Sequence, residues 1–394
     1  MRSLHIAFLT DEFVTEQPAG GLGNYLNRIT RLLCEQGHQP EVFVTSSNQP
    51  AVIDYNGVRV ERVPRSRNIL LRYARAYSKT YMKAPWGGPV DYLMVALALS
   101  QAFEKRHAVA PFDFVQSTNC AATGLFVRRL PNRPHLIRLS SHRGLWFATD
   151  GQNGLNARMM SWLESICAKR ANIAYAPSQF LATYCQKSYH RTVEVVRPPI
   201  FIEAEADTEI PAHLPKRYLL HFGQIGPRKG SDVLAKALCT VWEQVPDLKM
   251  IWAGNVIQPG DYERCHRLWG KHAQNVIWLG AVSKAELYAI LQRADAAVLP
   301  SRVDNLPNTV IESLAFGIPV IGSDGASIDE LVRAEVNGVL ISIGNSEALA
   351  DAMIKFWQGQ VACTKGVFDG LAALPESFNP SIAVRNLIQL AGYE

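Results

Sequence analysis

Pro300-Ser-Arg-Val-Asp304-Asn-Leu-Pro-Asn-Thr-Val-Ile-Glu312-Ser-Leu-Ala-Phe-Gly317-Ile-Pro319-Val320 is the stretch that decides the fold. The apolar run Ala296–Leu299 precedes it and has the length of a buried strand. A loop carrying Asp304 follows. Pro307 suits a first helical turn, where its missing N–H leaves no hydrogen bond unmade. The pattern predicts a helix from about Pro307 to Phe316 and another strand at Pro319–Ile321. Strand, helix and strand in so short a span make a βαβ unit, the element of a parallel sheet covered by helices.

The same rhythm extends in both directions. Upstream, Tyr218–Phe222, Lys249–Ala253 and Val276–Leu279 read as strands. Val233, Leu234, Ala237, Leu238, Val241 and Trp242 form one helix face. Arg197–Pro215 breaks the rhythm with Pro198, Pro199, Pro211, Pro215 and an acidic cluster, as a linker does. Before it, strands are expected at His5–Leu9, Glu41–Val44, Phe114–Ser117, His135–Leu139, Ile173–Ala176 and Val193–Val196. A helix carrying Leu22, Tyr25, Leu26, Ile29, Leu32 and Leu33 follows the first of them. Downstream, Ser377–Tyr393 reads as a terminal helix. The fold class expected is α/β with two Rossmann-like domains.

Composition agrees with two soluble cores: 394 residues, 48% of them hydrophobic and 19% charged. The net charge of +5 is mild, so its local distribution carries the information. Cys34, Cys120, Cys167, Cys185, Cys239, Cys265 and Cys363 form no C-x-x-C pair and no metal-ligand spacing with a histidine. Reduced, mostly buried thiols are expected. The N-terminus turns acidic before a signal-peptide core could form, and Leu93–Leu99 is too short to span a bilayer. A cytoplasmic chain is expected, with peripheral contact at the inner membrane face open to it.

Three loops could carry chemistry. Gly20-Gly21-Leu22-Gly23 lies between the first strand and first helix, where a helix N-terminus can meet an anion. Gly223-Gln224-Ile225-Gly226-Pro227-Arg228-Lys229-Gly230 follows a strand, and two adjacent cations there suit a diphosphate. In the opening stretch, Asp304 and Glu312 can flank one pocket, accepting hydrogen bonds from sugar and ribose hydroxyls. No Asp-x-Asp or histidine cluster marks a diphosphate-bound cation, and no metal is expected.

With these three loops the chain resembles the family-four glycosyltransferases of the GT-B fold over nearly its whole length. The family carries a glycine-rich loop after the first strand, a strand-end segment leading to Lys229-Gly230, and two acidic residues matching Asp304 and Glu312. Ala315-Phe-Gly-Ile-Pro-Val320 continues the match, as do Asn275–Val282, Leu299-Pro-Ser301 and Ala176-Pro-Ser178. The resemblance implies an acceptor domain at 1–200, a linker at 201–216, a donor domain at 217–376, and a helix at 377–394 packing back on the first domain, the two domains facing across a cleft. It implies that Glu312 binds the ribose, that Asp304 with the backbone of Asn305 and Leu306 holds the donor sugar, and that Lys229 binds the diphosphate with Gly21 nearby. The backbone near Val282 would meet the base, and His142 would face the reaction centre. Catalytic roles fall to His142, Lys229 and Asp304.

The implied reaction is transfer of a sugar, with retention, from a UDP- or GDP-sugar to a glycan, lipid-linked or small-molecule acceptor, with no cofactor beyond that co-substrate. Two positions depart from the family. Asp304 stands where Glu is usual, one methylene shorter, and Gln224 stands where Arg is usual, a loss of charge that Arg228 would offset. These departures keep an alternative open: a non-catalytic nucleotide-sugar-binding subunit, or another GT-B enzyme such as a nucleotide-sugar epimerase.

One further stretch is distinctive. Arg62, Arg65, Arg67, Arg72, Arg75, Lys79 and Lys83 occur with no acid until Asp91, and Leu70, Tyr73, Tyr77 and Tyr81 recur at helical spacing. A basic amphipathic helix in 62–83 fits an anionic membrane surface or acceptor. It equally fits a solvated helix with its aromatic side on the domain core. No nucleic-acid-binding module accompanies it.

Overall fold

The computed structural model describes residues 2–16, 20–65, 68–81, 87–149, 154–200, 214–366, 368, 370 and 374–394; for Ser78, Lys79, Tyr81 and Gly87 it describes the backbone alone. Arg67, Lys83 and residues 201–213 of the expected linker lie outside the described residues. The chain forms two compact units, Met1–Ile200 with Ser377–Glu394, and Phe201–Glu376.

In the first unit the elements are β1 (His5–Thr10), α1 (Gly21–Glu35), β2 (Gln39–Thr45), β3 (Ala51–Tyr55), β4 (Val58–Val63), α2 (Ile69–Tyr81), α3 (Gly87–Val109), β5 (Phe114–Thr118), β6 (His135–Arg138), α4 (Arg143–Thr149), α5 (Leu155–Arg170), β7 (Ile173–Ala176), α6 (Gln179–Tyr189) and β8 (Glu194–Val195). They make one eight-stranded sheet in the order β3-β4-β2-β1-β5-β6-β7-β8. Every described pairing in it is parallel except β3 with β4. The central strands are buried on both faces, which is why they read as continuous apolar runs.

The β3–β4 hairpin is absent from the sequence reading. Its signal was Asn56-Gly57, two residues that both adopt positive φ (52° and 82°), as a two-residue hairpin turn demands. Val52 and Asp54 point outward from this edge strand, so β3 lacks the apolar run that marks the inner strands.

The second unit contains β9 (Leu219–Phe222), α7 (Ser231–Gln244), β10 (Met250–Ala253), α8 (Asp261–Trp269), β11 (Val276–Gly280), α9 (Lys284–Arg293), β12 (Ala296–Leu299), α10 (Asn308–Ala315), β13 (Val320–Asp324), β14 (Gly338–Ser342) and α11 (Ser346–Trp357). Its sheet is wholly parallel, in the order β11-β10-β9-β12-β13-β14. Counted from its own first strand this is the 3-2-1-4-5-6 order of the doubly wound nucleotide-binding fold. α12 (Pro380–Leu390) returns to the first unit, where Val384, Leu387 and Ile388 join a core with Leu22, Leu26 and Ile29 of α1. Beyond it the Tyr393 hydroxyl donates to the Asp113 carbonyl at 3.0 Å.

The basic stretch 62–83 is not one helix. Arg62 lies in β4 and donates to Glu16 at 2.6 Å, and the helix begins at Ile69. Arg75 donates to Asp91 at 2.6 Å, so part of the charge is neutralised from α3. The aromatic side does not lie on the core: Leu70, Tyr73 and Tyr77 are 75%, 70% and 60% exposed. Among the described residues no helix is long and apolar enough to cross a membrane.

Candidate active site

The direction of winding in the second unit reverses between β9 and β12, and a crevice opens beyond the carboxyl ends of two strands so arranged. Two of the three loops expected to carry chemistry leave those two strand ends. Folding brings them together: the Lys229 ammonium pairs with Asp304 Oδ2 across 75 residues of chain. Asp304 Oδ1 accepts from the Asn305 amide at 2.9 Å, and the Ser301 hydroxyl reaches Oδ2 at 3.5 Å. A cation and a carboxylate predicted to meet the two ends of one donor are therefore each other's partners here.

The loops are joined by groups the sequence reading did not single out. Arg302 makes a two-pronged contact with Asp232, Nη1 to Oδ1 at 2.5 Å and Nη2 to Oδ2 at 2.7 Å, and donates to the Pro227 carbonyl at 2.7 Å. The Arg302 and Val303 amides donate to the Arg228 carbonyl at 2.8 and 3.4 Å. Beneath them His221 is buried; its Nδ1 contacts the Val298 carbonyl at 2.8 Å and its Nε2 the Ser231 hydroxyl at 3.0 Å. Ser231 Oγ accepts in turn from the Gly226 amide at 3.0 Å. Burial pushes the His221 imidazole down to about 4, so it is a neutral connector of β9, β12 and the Lys229 loop at pH 7.

α10 completes this face. The Thr309 methyl lies 3.3 Å from the position a side chain at Gly223 would begin, so the helix start sits against the β9 loop. Leu306, just before it, is buried with φ of 73°, a conformation costing about 1–2 kcal/mol for a side-chain-bearing residue. Glu312 is half-buried on α10, and its carboxylate accepts from the Tyr288 hydroxyl at 3.2 Å. Tyr288 belongs to α9, which begins just past Val282 at the end of β11. Gln224 is exposed in the β9 loop and Arg228 half-buried. Lys229, Arg228, Gln224, Asp304, Asn305, Leu306, Glu312 and Val282 thus all lie at or just beyond the carboxyl-end edge of one sheet.

In the first unit the glycine-rich stretch is not a loop ahead of the helix: Gly20 is the N-cap of α1 and Gly21, Leu22 and Gly23 form its first turn, with Gly21 exposed. The chain supplies its own anion there. Glu12 Oε1 accepts from the Gly20 amide and from the Gly23 amide at 3.0 Å, occupying donors that a phosphate would use. His142 caps α4, its carbonyl accepting from the Leu145 and Trp146 amides at 3.0 and 3.3 Å. His142 is only 9% exposed, and its ring packs on Tyr184 and Tyr189, with centroids 4.7 and 5.3 Å away. Burial pushes its imidazole down to about 4, so at neutral pH it acts as an uncharged group. Among the described residues no three His, Cys, Asp or Glu side chains are grouped as for a metal ion.

A sheet wound in this order, with a lysine–carboxylate pair at its switch point and a second, mostly parallel sheet in the same chain, defines a two-domain α/β protein of nucleotide-binding architecture. Known sequences narrow the class. Residues 20–199 match the family described as glycosyl transferase 4-like domain, and residues 203–365 match glycosyl transferases group 1. The chain belongs to the family-four glycosyltransferases of the GT-B fold.

It is 28% identical over 194 residues to the amylovoran biosynthesis glycosyltransferase AmsK of Erwinia amylovora, covering 45% of each chain. It is 30% identical over 149 residues to the phosphatidyl-myo-inositol mannosyltransferase of Mycobacterium leprae, covering 38% of this chain and 39% of that one. The chain therefore spans less than half the length of these two curated relatives. Among solved structures, sucrose-phosphate synthase from Thermosynechococcus elongatus superposes with a TM-score of 0.75 at 18% identity, over 98% of both chains. Anabaena HepE in complex with UDP-glucose superposes with a TM-score of 0.68 at 18% identity, over 99% of this chain and 98% of that one. These likenesses show the fold.

Proposed function

We propose that this chain is a retaining glycosyltransferase that moves a sugar from a nucleotide-diphosphate sugar to an acceptor hydroxyl and requires no metal ion. The observation that carries the reading is the Lys229–Asp304 pair on the same sheet edge as Glu312. In the free protein the lysine neutralises Asp304. On donor binding the diphosphate becomes its counter-ion, and Asp304 is released to accept hydrogen bonds from sugar hydroxyls. Glu312 and Tyr288 face the ribose.

The bond from the anomeric carbon to the diphosphate oxygen breaks as the acceptor oxygen bonds to the same face of that carbon. The acceptor proton passes to the departing phosphate oxygen, and Lys229 stabilises the charge left there. Neutral His142 orients groups near the sugar without adding a charge of its own. UDP is the first donor nucleotide to test, because HepE, of the same fold, has been solved with UDP and with UDP-glucose.

A thermal-shift screen against UDP, GDP, ADP and their sugar conjugates tests the donor. One responder is expected, since a ligand that binds only the native state raises the melting temperature by mass action. Glu312→Ala should abolish the response. An unchanged response in that variant would remove Glu312 from the site.

For the acceptor side we propose an anionic membrane surface at the exposed face of α2, with the protein peripheral to the cytoplasmic leaflet. Ile69, Leu70, Tyr73 and Tyr77 project to solvent beside exposed Arg72. Sedimentation with vesicles of anionic lipid at low salt should retain the wild type. Leu70→Ser combined with Arg72→Ser should lower the partition coefficient about tenfold. Equal binding to neutral and anionic vesicles would overturn the electrostatic half of this reading.

A further inference from the structure

Glu164 on α5 is the one carboxylate of the first unit's described core with no exposed surface, and the reaction just proposed makes no use of it. Its two oxygens accept from three elements: the Tyr92 hydroxyl on α3 at 3.2 Å, Arg143 Nε on α4 at 3.3 Å and Asn119 Nδ2 beyond β5 at 3.4 Å. Asn119 also clips the segment before His142. Its Nδ2 donates to the Ser141 carbonyl at 2.6 Å, and its Oδ1 accepts from the Ser140 amide at 2.8 Å. Arg143 is the residue after His142, and its guanidinium also reaches the Tyr92 hydroxyl. The segment Ser140–Arg143 is thus held on both flanks by contacts that converge on one carboxylate.

We propose that Glu164 is a positioning residue that places His142 by holding Asn119 on one side of it and Arg143 on the other, and that its ionisation tightens this hold. The inference rests on the reading of His142 as part of the reaction. The ionised carboxylate accepts from all three donors and pairs with the guanidinium; protonation weakens its acceptor capacity and removes the counter-charge of Arg143.

The groups facing it are Tyr92 from α3, Asn119 and Cys120 beyond β5, Arg143 from α4, Cys167 on its own helix, and Cys185 and Tyr189 from α6. Arg143 is the one cation among them. Burial pushes the Glu164 carboxyl up, to about 7, against the pull of Arg143. Because the folded value lies above the unfolded one, its contribution to stability is fully present below about 4.5 and is lost as pH rises through about 7. Holding the loop and stabilising the fold therefore respond to pH in opposite senses.

The test is kcat against pH, on the full chain with its donor, for the wild type, Glu164→Gln and Asn119→Ala. Wild-type kcat should fall on the acid side of about pH 7. Glu164→Gln keeps an acceptor oxygen but not the charge. It should lose about tenfold in kcat and the acid limb with it, while its thermal shift with UDP stays unchanged. Asn119→Ala should lose kcat yet keep the limb, because Glu164 still titrates. The His142 imidazole nitrogen resonances should move in Glu164→Gln. Wild-type kcat, pH profile and resonances in a folded Glu164→Gln protein would overturn the proposal. If His142→Ala turns over normally, the catalytic reading of His142 fails, and the resonance shift alone then decides whether Glu164 positions that ring.

Discussion

Replacing Lys229 with alanine is expected to reduce donor turnover by about 10²–10³-fold, the loss typical when a preorganised group that meets developing charge is removed. Two terms combine. The diphosphate loses the ammonium that neutralises it, and among the described residues Asp304 keeps the Asn305 amide at 2.9 Å and the Ser301 hydroxyl at 3.5 Å. A carboxylate without its cation, beside an incoming diphosphate, repels it. UDP affinity should therefore weaken by about 10–100-fold, the equivalent of one charge-assisted hydrogen bond. Lys229→Arg should recover part of this, since its wider fork keeps the charge but not the compact geometry. Calorimetric titration with UDP and the rate of UDP release from donor measure the two quantities. A Lys229→Ala protein within threefold of wild type in both would remove the lysine from the mechanism.

Gly230→Ala should produce a large loss of stability. Gly230 has φ of 70°, and a Cβ there would sit 1.9 Å from the Pro300 carbonyl oxygen. That oxygen is main chain at the end of β12, so no rotamer change can relieve the clash. The β9 and β12 loops would have to separate, pulling against the Arg302–Asp232 contact and the amides that Arg228 accepts. Strain and clash together should cost about 3–5 kcal/mol and lower the melting temperature by roughly 10 °C. Gly344→Ala is the control: φ is 77° there too, but nothing lies within 4 Å, and about 1 kcal/mol is expected. Equal melting temperatures for the two variants would show that the close approach at Gly230 is not what that glycine is for.

The residues proposed to meet the donor stand out because each sits in a local pattern. Lys229 follows an apolar strand in a glycine-rich turn, and Asp304 and Glu312 punctuate a strand–loop–helix whose proline marks the helix start. The buried parallel strands were legible for the same reason, as short apolar runs. The edge strands β3 and β14 were not, nor was β4, whose burial alternates instead of running continuously. β3 is open on one side and alternates, and β14 (Gly338–Ser342) opens on glycine with two of its residues only half-buried. The basic stretch misled in a different way. Its charges look unopposed along the chain, yet Asp91 comes back to Arg75 when α3 packs on α2.

Sequence by itself determined the α/β class, the βαβ rhythm, the family and the residue types proposed to meet a diphosphate and two sets of hydroxyls. Those are properties of local order, set by strand length, helical period and the chemistry of single side chains. Tertiary structure decided which of those groups are partners. The Lys229–Asp304 pair, the Arg302–Asp232 bridge between loops and the Glu164 hold on Asn119 all join residues far apart in the chain. Their energies depend on distance and burial in space, which no local pattern encodes, and the winding reversal between β9 and β12 is what brings the donor-side loops within reach.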